Sequence, residues 1–170
     1  MLDPPLLYGM TAWLVFIAKK IHLINRLKEV TLANNRRTEW ASSEEAESYF
    51  YSKALFKKFD PECLKDYVRY GTMPTENGVT LSFDVNVESK IYKTNPHNIG
   101  HLRRNMDVHG KIIMGQNTYS VTKYAMPKFA KKHNILFQQL EYGSHLFPME
   151  YPDRTATLIR EAIIELGGST

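Results

Sequence analysis

A chain of 170 residues, 43% hydrophobic and 24% charged, is long enough for one globular domain with a real core. Its net charge of +4 comes without a Lys/Arg tract interleaved with aromatics, which leaves nucleic-acid binding without support. The single cysteine, Cys63, excludes an internal disulfide and a cysteine-based metal site, and suits a reducing compartment, cytoplasmic by default.

The first residues, Met1-Leu2-Asp3-Pro4-Pro5, read as the end of a buried strand entering a loop. Residues 6–32 predict one long helix or two, with Met10, Trp13, Leu14, Ile17 and Ile21 at helical spacing. Their apolar part, residues 6–18, falls short of the ~20 apolar residues that span a bilayer. It also lacks the basic leader and small-residue cleavage site of a signal peptide, so a buried or lid helix is expected. Asn34-Asn35-Arg36-Arg37 breaks the pattern. Ser42-x-x-Glu45 is a capping box that opens a helix through Tyr49 and Leu55. Asp60-Pro61 supplies an N-cap and a first-turn proline for a helix carrying Leu64, Tyr67 and Val68 inward, with Gly71 as its C-terminal cap.

Thr75-Glu76-Asn77-Gly78 predicts a turn, and the alternation of Val79, Leu81, Phe83 and Val85 a short strand or extended edge. Residues 88–92 suit a helix and 94–98 a loop. Residues 108–114 (VHGKIIM) form the next expected strand, and Gly115-Gln116-Asn117-Thr118 turns out of it. A helix over 123–132 offers Tyr124, Met126, Phe129 and Ala130 to a core, and a second strand follows at 135–140. Gly143-Ser144-His145 is then a turn with a histidine behind it, and Pro148 and Pro152 mark irregular backbone. The chain finishes in an amphipathic helix with Ile159, Ala162, Ile163 and Leu166 on one stripe. Strand, helix, strand, loop, helix is a βαβ crossover with a closing helix. His145 therefore lies beyond the carboxyl end of a strand, the edge of an α/β sheet where ligands and chemistry collect.

The run Tyr142-Gly143-Ser144-His145-Leu146-Phe147-Pro148-Met149-Glu150-Tyr151-Pro152 resembles the segment that carries the catalytic histidine of α/β-hydrolases. In that family a Gly-x-His follows the last strand, and a Glu-x-Pro precedes the final helix. Leu2-Asp3-Pro4 resembles the end of the family's sixth strand. The short helices between resemble the lid inserted there, as in lipase- and esterase-like members, including fungal peroxisomal lipase-type proteins. The C-terminal Gly168-Ser169-Thr170 matches no peroxisomal signal. The resemblance spans nearly the whole chain but only about the carboxyl half of the family's domain. It implies an α/β class: the C-terminal part of an α/β-hydrolase fold, two to three parallel strands with helices, plus a mostly helical lid. Residues 1–5 would end strand six, 6–100 form the lid, and 101–170 the closing part of the core.

The family's chemistry needs a serine nucleophile, a histidine base and an orienting acid, in the chain order Ser, acid, His. His145 takes the base position. The usual acid position follows the strand at 108–114, where this sequence has Gly115-Gln116-Asn117. Asn117 can hydrogen-bond an imidazole but carries no charge to stabilise its cation. Some members place the acid after strand six instead, where Asp3 stands; turn formation before Pro4 is the alternative account of Asp3. No Gly-x-Ser-x-Gly occurs anywhere in the 170 residues. Ser144 is rejected as nucleophile because neighbouring loop residues rarely face each other, and Cys63 reads as a packed small residue of a lid helix. His97, His101 and His109 lack metal-ligand spacing, so neither metal nor cofactor is expected.

The expected function is thus the closing half of a serine hydrolase of acyl esters or lipids, inactive alone. An apolar lid face of Trp13, Phe16, Tyr49, Phe50 and Phe56 would contact the acyl chain. The expected partner is an N-terminal hydrolase half, or a second copy bound through the open sheet edge. The alternative is a non-enzymatic interaction or membrane-surface protein built on a degenerate hydrolase fragment. A truncated product starting at an internal methionine is a further reading of the start within a strand.

Overall fold

The computed structural model describes residues 1–4, 7–26, 28–98 and 109–167. In chain order these form α1 (Met10–Lys20), a 3-10 turn (Leu23–Arg26), α2 (Lys28–Asn34), β1 (Glu39–Trp40), α3 (Ser43–Tyr51) and α4 (Pro61–Gly71). There follow β2 (Thr72–Thr75), β3 (Gly78–Leu81), α5 (Val85–Thr94), β4 (Lys111–Gly115), α6 (Ser120–Lys132), β5 (Leu136–Leu140), α7 (Phe147–Glu150) and α8 (Pro152–Glu165). Val108 and His101, read above as strand start and excluded metal ligand, lie outside the described residues, as do Pro5, Leu6 and residues 168–170. The chain divides into two compact units, Met1–Ile17 with Pro96–Thr170, and Ala18–Asn95. Residues 7–17 fall in the first of these units.

The first unit is built on parallel pairing. β4 and β5 run side by side from Lys111 opposite Leu136 to Gly115 opposite Leu140. The other edge of β4 takes the chain start: Leu2 bridges Ile113 in parallel, Asp3 N–H donates to Ile113 O (2.8 Å), and Ile113 N–H donates to Met1 O (2.9 Å). Side chains of a strand alternate between faces, and β4 is apolar on both. Ile112 and Met114 pack with Met126, Phe129, Ala130 and Ile135 on the α6 face. Ile113 packs with Phe147 and Leu158 on the other. A strand buried on both sides reads as a continuous apolar run, here Ile112–Ile113–Met114; the strand begins at Lys111, later than the expected start at 108.

Two apolar stripes differ from expectation. On α8 the buried residues are Thr155 and Leu158, while Ile159 and Ile163 are exposed. Of the expected stripe, Ala162 and Leu166 are half-buried, so the packed line runs through Thr155, Leu158 and Ala162 and shares only part of the apolar stripe. On α1 only Ala12 is buried, and Met10, Trp13 and Leu14 are exposed. The helix presents its smallest side chain to the unit and its largest to solvent, so of the two expectations, a buried or a lid helix, it is not the buried one.

The second unit contains helices and a small antiparallel sheet of order β1-β3-β2. The turn at Glu76-Asn77 is tight, with Thr75 opposite Gly78. Gly78 has φ 145°, and a Cβ there would meet Trp40 O at 2.1 Å, so only glycine lets β3 lie against β1. β2 contains Pro74 and escaped the sequence reading; it is an edge strand, where a missing N–H is tolerated. The expected extension of β3 through Phe83 and Val85 does not form, because Asp84 caps α5 by accepting from Asn86 N–H (2.8 Å).

The signals for the starts of α3 and α4 act where they were read, and those for their ends do not. Ser42 Oγ accepts from Glu45 N–H (3.2 Å), while the Glu45 carboxylate accepts from Ala41 N–H (2.7 Å), one residue beyond the usual box. Asp60 Oδ1 accepts from Glu62 N–H (2.9 Å). Gly71 is the last helical residue of α4 rather than a left-handed cap. α3 ends at Tyr51, short of Leu55. Phe50 and Phe56, expected on an acyl-binding face, are instead core: they stack with each other (5.1 Å) and with Tyr67 (5.1 and 4.9 Å).

Candidate active site

Two elements of the first unit deliver the side chains. Beyond β5, Tyr142 takes a left-handed φ of 61° and turns the chain toward Gly143-Ser144-His145. The loop is fixed from two sides. From the β4 end, Asn117 N–H donates to Gly143 O (2.8 Å), Asn117 Nδ2 donates to Tyr142 O (3.2 Å), and Gln116 N–H donates to Leu140 O (2.9 Å). Contact there is so close that a Cβ at Gly115 would lie 2.2 Å from Ser144 O. From the far side, the buried Glu150 carboxylate accepts from Ser144 N–H (2.9 Å) and from the Ser144 hydroxyl (2.5 Å). Phe147, fully buried, pins the next turn.

Asp3 follows the Leu2–Ile113 bridge on the edge of β4, with φ 35° and 3% exposure. A non-glycine residue in this region is uncommon, and it directs the carboxylate beneath the histidine loop. His145 Nδ1 lies 2.6 Å from Asp3 Oδ2, and the same oxygen accepts from the Thr118 hydroxyl (2.5 Å). A carboxylate at Nδ1 fixes the proton there, which leaves Nε2 of the neutral ring as an acceptor. The imidazole is 32% exposed and has the Tyr119 ring 5.1 Å away. Asp3 Oδ1 is buried and without a hydrogen-bond partner among the described residues. Such an arrangement can take up a proton at Nε2 and hold the resulting cation against a buried negative charge.

The structure thus brings His145 and Asp3 together across 142 positions of sequence. Asn117 spends its amide on Tyr142 O and braces the loop. The Ser144 hydroxyl donates its hydrogen bond to Glu150 rather than to His145. Cys63 lies in the first turn of α4, in the other unit. Among the described residues no group of three His, Cys, Asp or Glu side chains is placed to hold a metal. No described helix is long and apolar enough to cross a membrane. Thr118 and Tyr119 were missed by the sequence reading, and no local signal announces them: Thr118 sits in what reads as a plain turn, and its partner is 115 residues away.

No protein-family model matches the sequence, and no curated protein is a significant match. Solved structures do match. E-2-(acetamidomethylene)succinate hydrolase superposes with a TM-score of 0.67 at 12% identity, over 92% of this chain and 64% of its own. The peroxisomal α/β-hydrolase Lpx1 of Saccharomyces cerevisiae gives 0.59 at 18% identity, over 85% of this chain and 40% of its own. The thioesterase domain from the curacin biosynthetic pathway gives 0.58 at 14% identity, over 93% and 67%. The chain spans less than two thirds of the length of the first two. Parallel strands, crossover helix, histidine loop and closing helix are together a partial α/β-hydrolase fold.

Proposed function

We propose that this chain is the closing part of a serine α/β-hydrolase of acyl esters or lipids, with Asp3 and His145 as its acid and base. In this reading residues 1–5 end the sixth strand, 6–100 form the lid and 101–170 complete the core. The observation that carries it is the 2.6 Å approach of His145 Nδ1 to a buried carboxylate at the carboxyl edge of parallel strands. His145 Nε2 would take the proton of a serine hydroxyl as its oxygen attacks the ester carbonyl. The imidazolium, held by Asp3, would then return that proton to the departing alkoxide. Water, deprotonated by the same nitrogen, would release the acid and regenerate the serine.

The serine belongs to a polypeptide segment outside these 170 residues, which hold no Gly-x-Ser-x-Gly. The share of the solved hydrolases left uncovered supports this division. The 170 residues alone would then hydrolyse a short acyl ester at no enzyme-like rate. Joined to the segment that carries the serine, the protein should turn the ester over and label with a fluorophosphonate, and His145→Ala should abolish both. Robust turnover by the 170 residues alone, abolished by His145→Ala, would place a nucleophile within them and defeat this reading. The exposed Ile159 and Ile163 of α8 favour, as a second reading, an interaction protein that keeps the fold without the chemistry.

A further inference from the structure

The exposed stripe of α1 takes no part in the chemistry proposed for His145 and Asp3. Tyr8 anchors the start of this helix on α6, edge-on to Phe129 (5.9 Å) and under the Lys132 ammonium (5.5 Å). From that anchor Met10, Trp13 and Leu14 point outward, 65%, 60% and 52% exposed. They lie at i, i+3 and i+4, so they form one continuous apolar face. Beside the anchor, the last turn of α6 carries Lys131 and Lys132. Charge is one-sided over both segments: no Asp or Glu occurs between Asp3 and Glu29, or between Asp107 and Glu141. A large apolar face of Trp, Leu and Met next to lysines, with no carboxylate in either segment, matches the chemistry of an anionic membrane interface. Aromatic and aliphatic side chains enter the headgroup boundary while ammonium groups meet lipid phosphates. At 11 residues α1 rises about 16 Å, half a bilayer core, so it would lie in the surface rather than cross it.

We propose that the Met10–Trp13–Leu14 face of α1 docks on an anionic lipid surface, with the α6 lysines as its electrostatic rim. This holds whether or not the chain belongs to a hydrolase, because it uses neither His145 nor Asp3. The chain has a natural reporter. Of its two tryptophans, Trp40 is 3% exposed and Trp13 is open to solvent. The test adds the full chain to mixed phosphatidylserine–phosphatidylcholine vesicles, reads tryptophan emission, and measures co-sedimentation. Expected are a blue shift absent from Trp13→Phe, and binding weakened at least about tenfold by Met10→Gln with Leu14→Gln. Lys131→Gln and Lys132→Gln should each cost about fivefold on the same vesicles, and binding should fall with added salt. The proposal is overturned if emission and sedimentation are unchanged by these vesicles, or if pure phosphatidylcholine binds equally well. It is also overturned if Trp13 is already shielded without lipid in a dimer that Met10→Gln with Leu14→Gln dissociates, because the face then belongs to a second copy.

Discussion

Gly115→Ala probes how firmly the end of β4 holds the histidine loop. The added Cβ would stand 2.2 Å from Ser144 O, 2.5 Å from Gly143 O and 2.9 Å from Gly143 C. Ordinary contact requires roughly 3.4 Å or more, so the strands or the loop must separate by about 1 Å. The obstacle is backbone, which no rotamer change relieves. It is also tied down, by Asn117 N–H at 2.8 Å and by Glu150 at 2.9 Å. Overpacking of this kind costs about 1–3 kcal/mol, and weakening the Asn117–Gly143 bond adds about 1 kcal/mol. A loss of about 3 kcal/mol, some hundredfold in the folding equilibrium, is expected for the first unit. Urea unfolding followed by circular dichroism measures it as a lower midpoint at unchanged slope. Gly71→Ala is the control: it is helical, has open space around its Cβ, and should gain up to about 1 kcal/mol. A Gly115→Ala protein within about 0.5 kcal/mol of the parent would mean that β4 and the loop do not touch as described.

Other variants test separate parts of the account. Phe147→Ala empties a fully buried site beside Ile113 and Leu158, and should cost about 3–5 kcal/mol in the same unfolding assay. Glu150→Gln keeps the shape but removes the charge that Ser144 N–H and hydroxyl donate to; a loss of about 1.5–3 kcal/mol is expected, measured by thermal unfolding. Glu45 should add acid sensitivity to α3. Its carboxyl is held below the usual range by the Ala41 N–H first and the Arg37 side chain second. A folded pKa below the unfolded one stabilises above the unfolded value and is lost as pH falls through the folded one. Unfolding curves of Glu45→Gln should therefore lose part of the parent's destabilisation below its ordinary pKa of 4.5.

The sequence showed the second half of the first unit well because its signals are local. Residues 112–114 are apolar on both faces, and β5, α7 and α8 follow at short spacing, bounded by Gly143, Pro148 and Pro152. The Asp3 contact was undecidable from the chain alone. Its strand is only a few residues, and the choice between Asp3 and the Asn117 position depends on which segment pairs with β4, a long-range fact. Burial on helices was less legible. The α8 stripe and the line that packs overlap only in part: Leu158 packs with Phe147 and Ile113, and Ala162 and Leu166 are half-buried, while Ile159 and Ile163 stay uncovered. Phe50 and Phe56 look the same in sequence whether they line a substrate channel or fill a core; only the rings around them decide.

The most direct measurement is the proton NMR signal of the His145 ring in the folded 170-residue chain. A 2.6 Å approach of Nδ1 to a buried carboxylate should give an imidazole N–H resonance far downfield of the backbone amides. It should vanish in both Asp3→Asn and His145→Gln and weaken in Thr118→Val, which removes the second donor to Asp3. A downfield signal indifferent to Asp3→Asn, or none in a chain that is otherwise folded, would contradict the pairing on which the proposed chemistry rests.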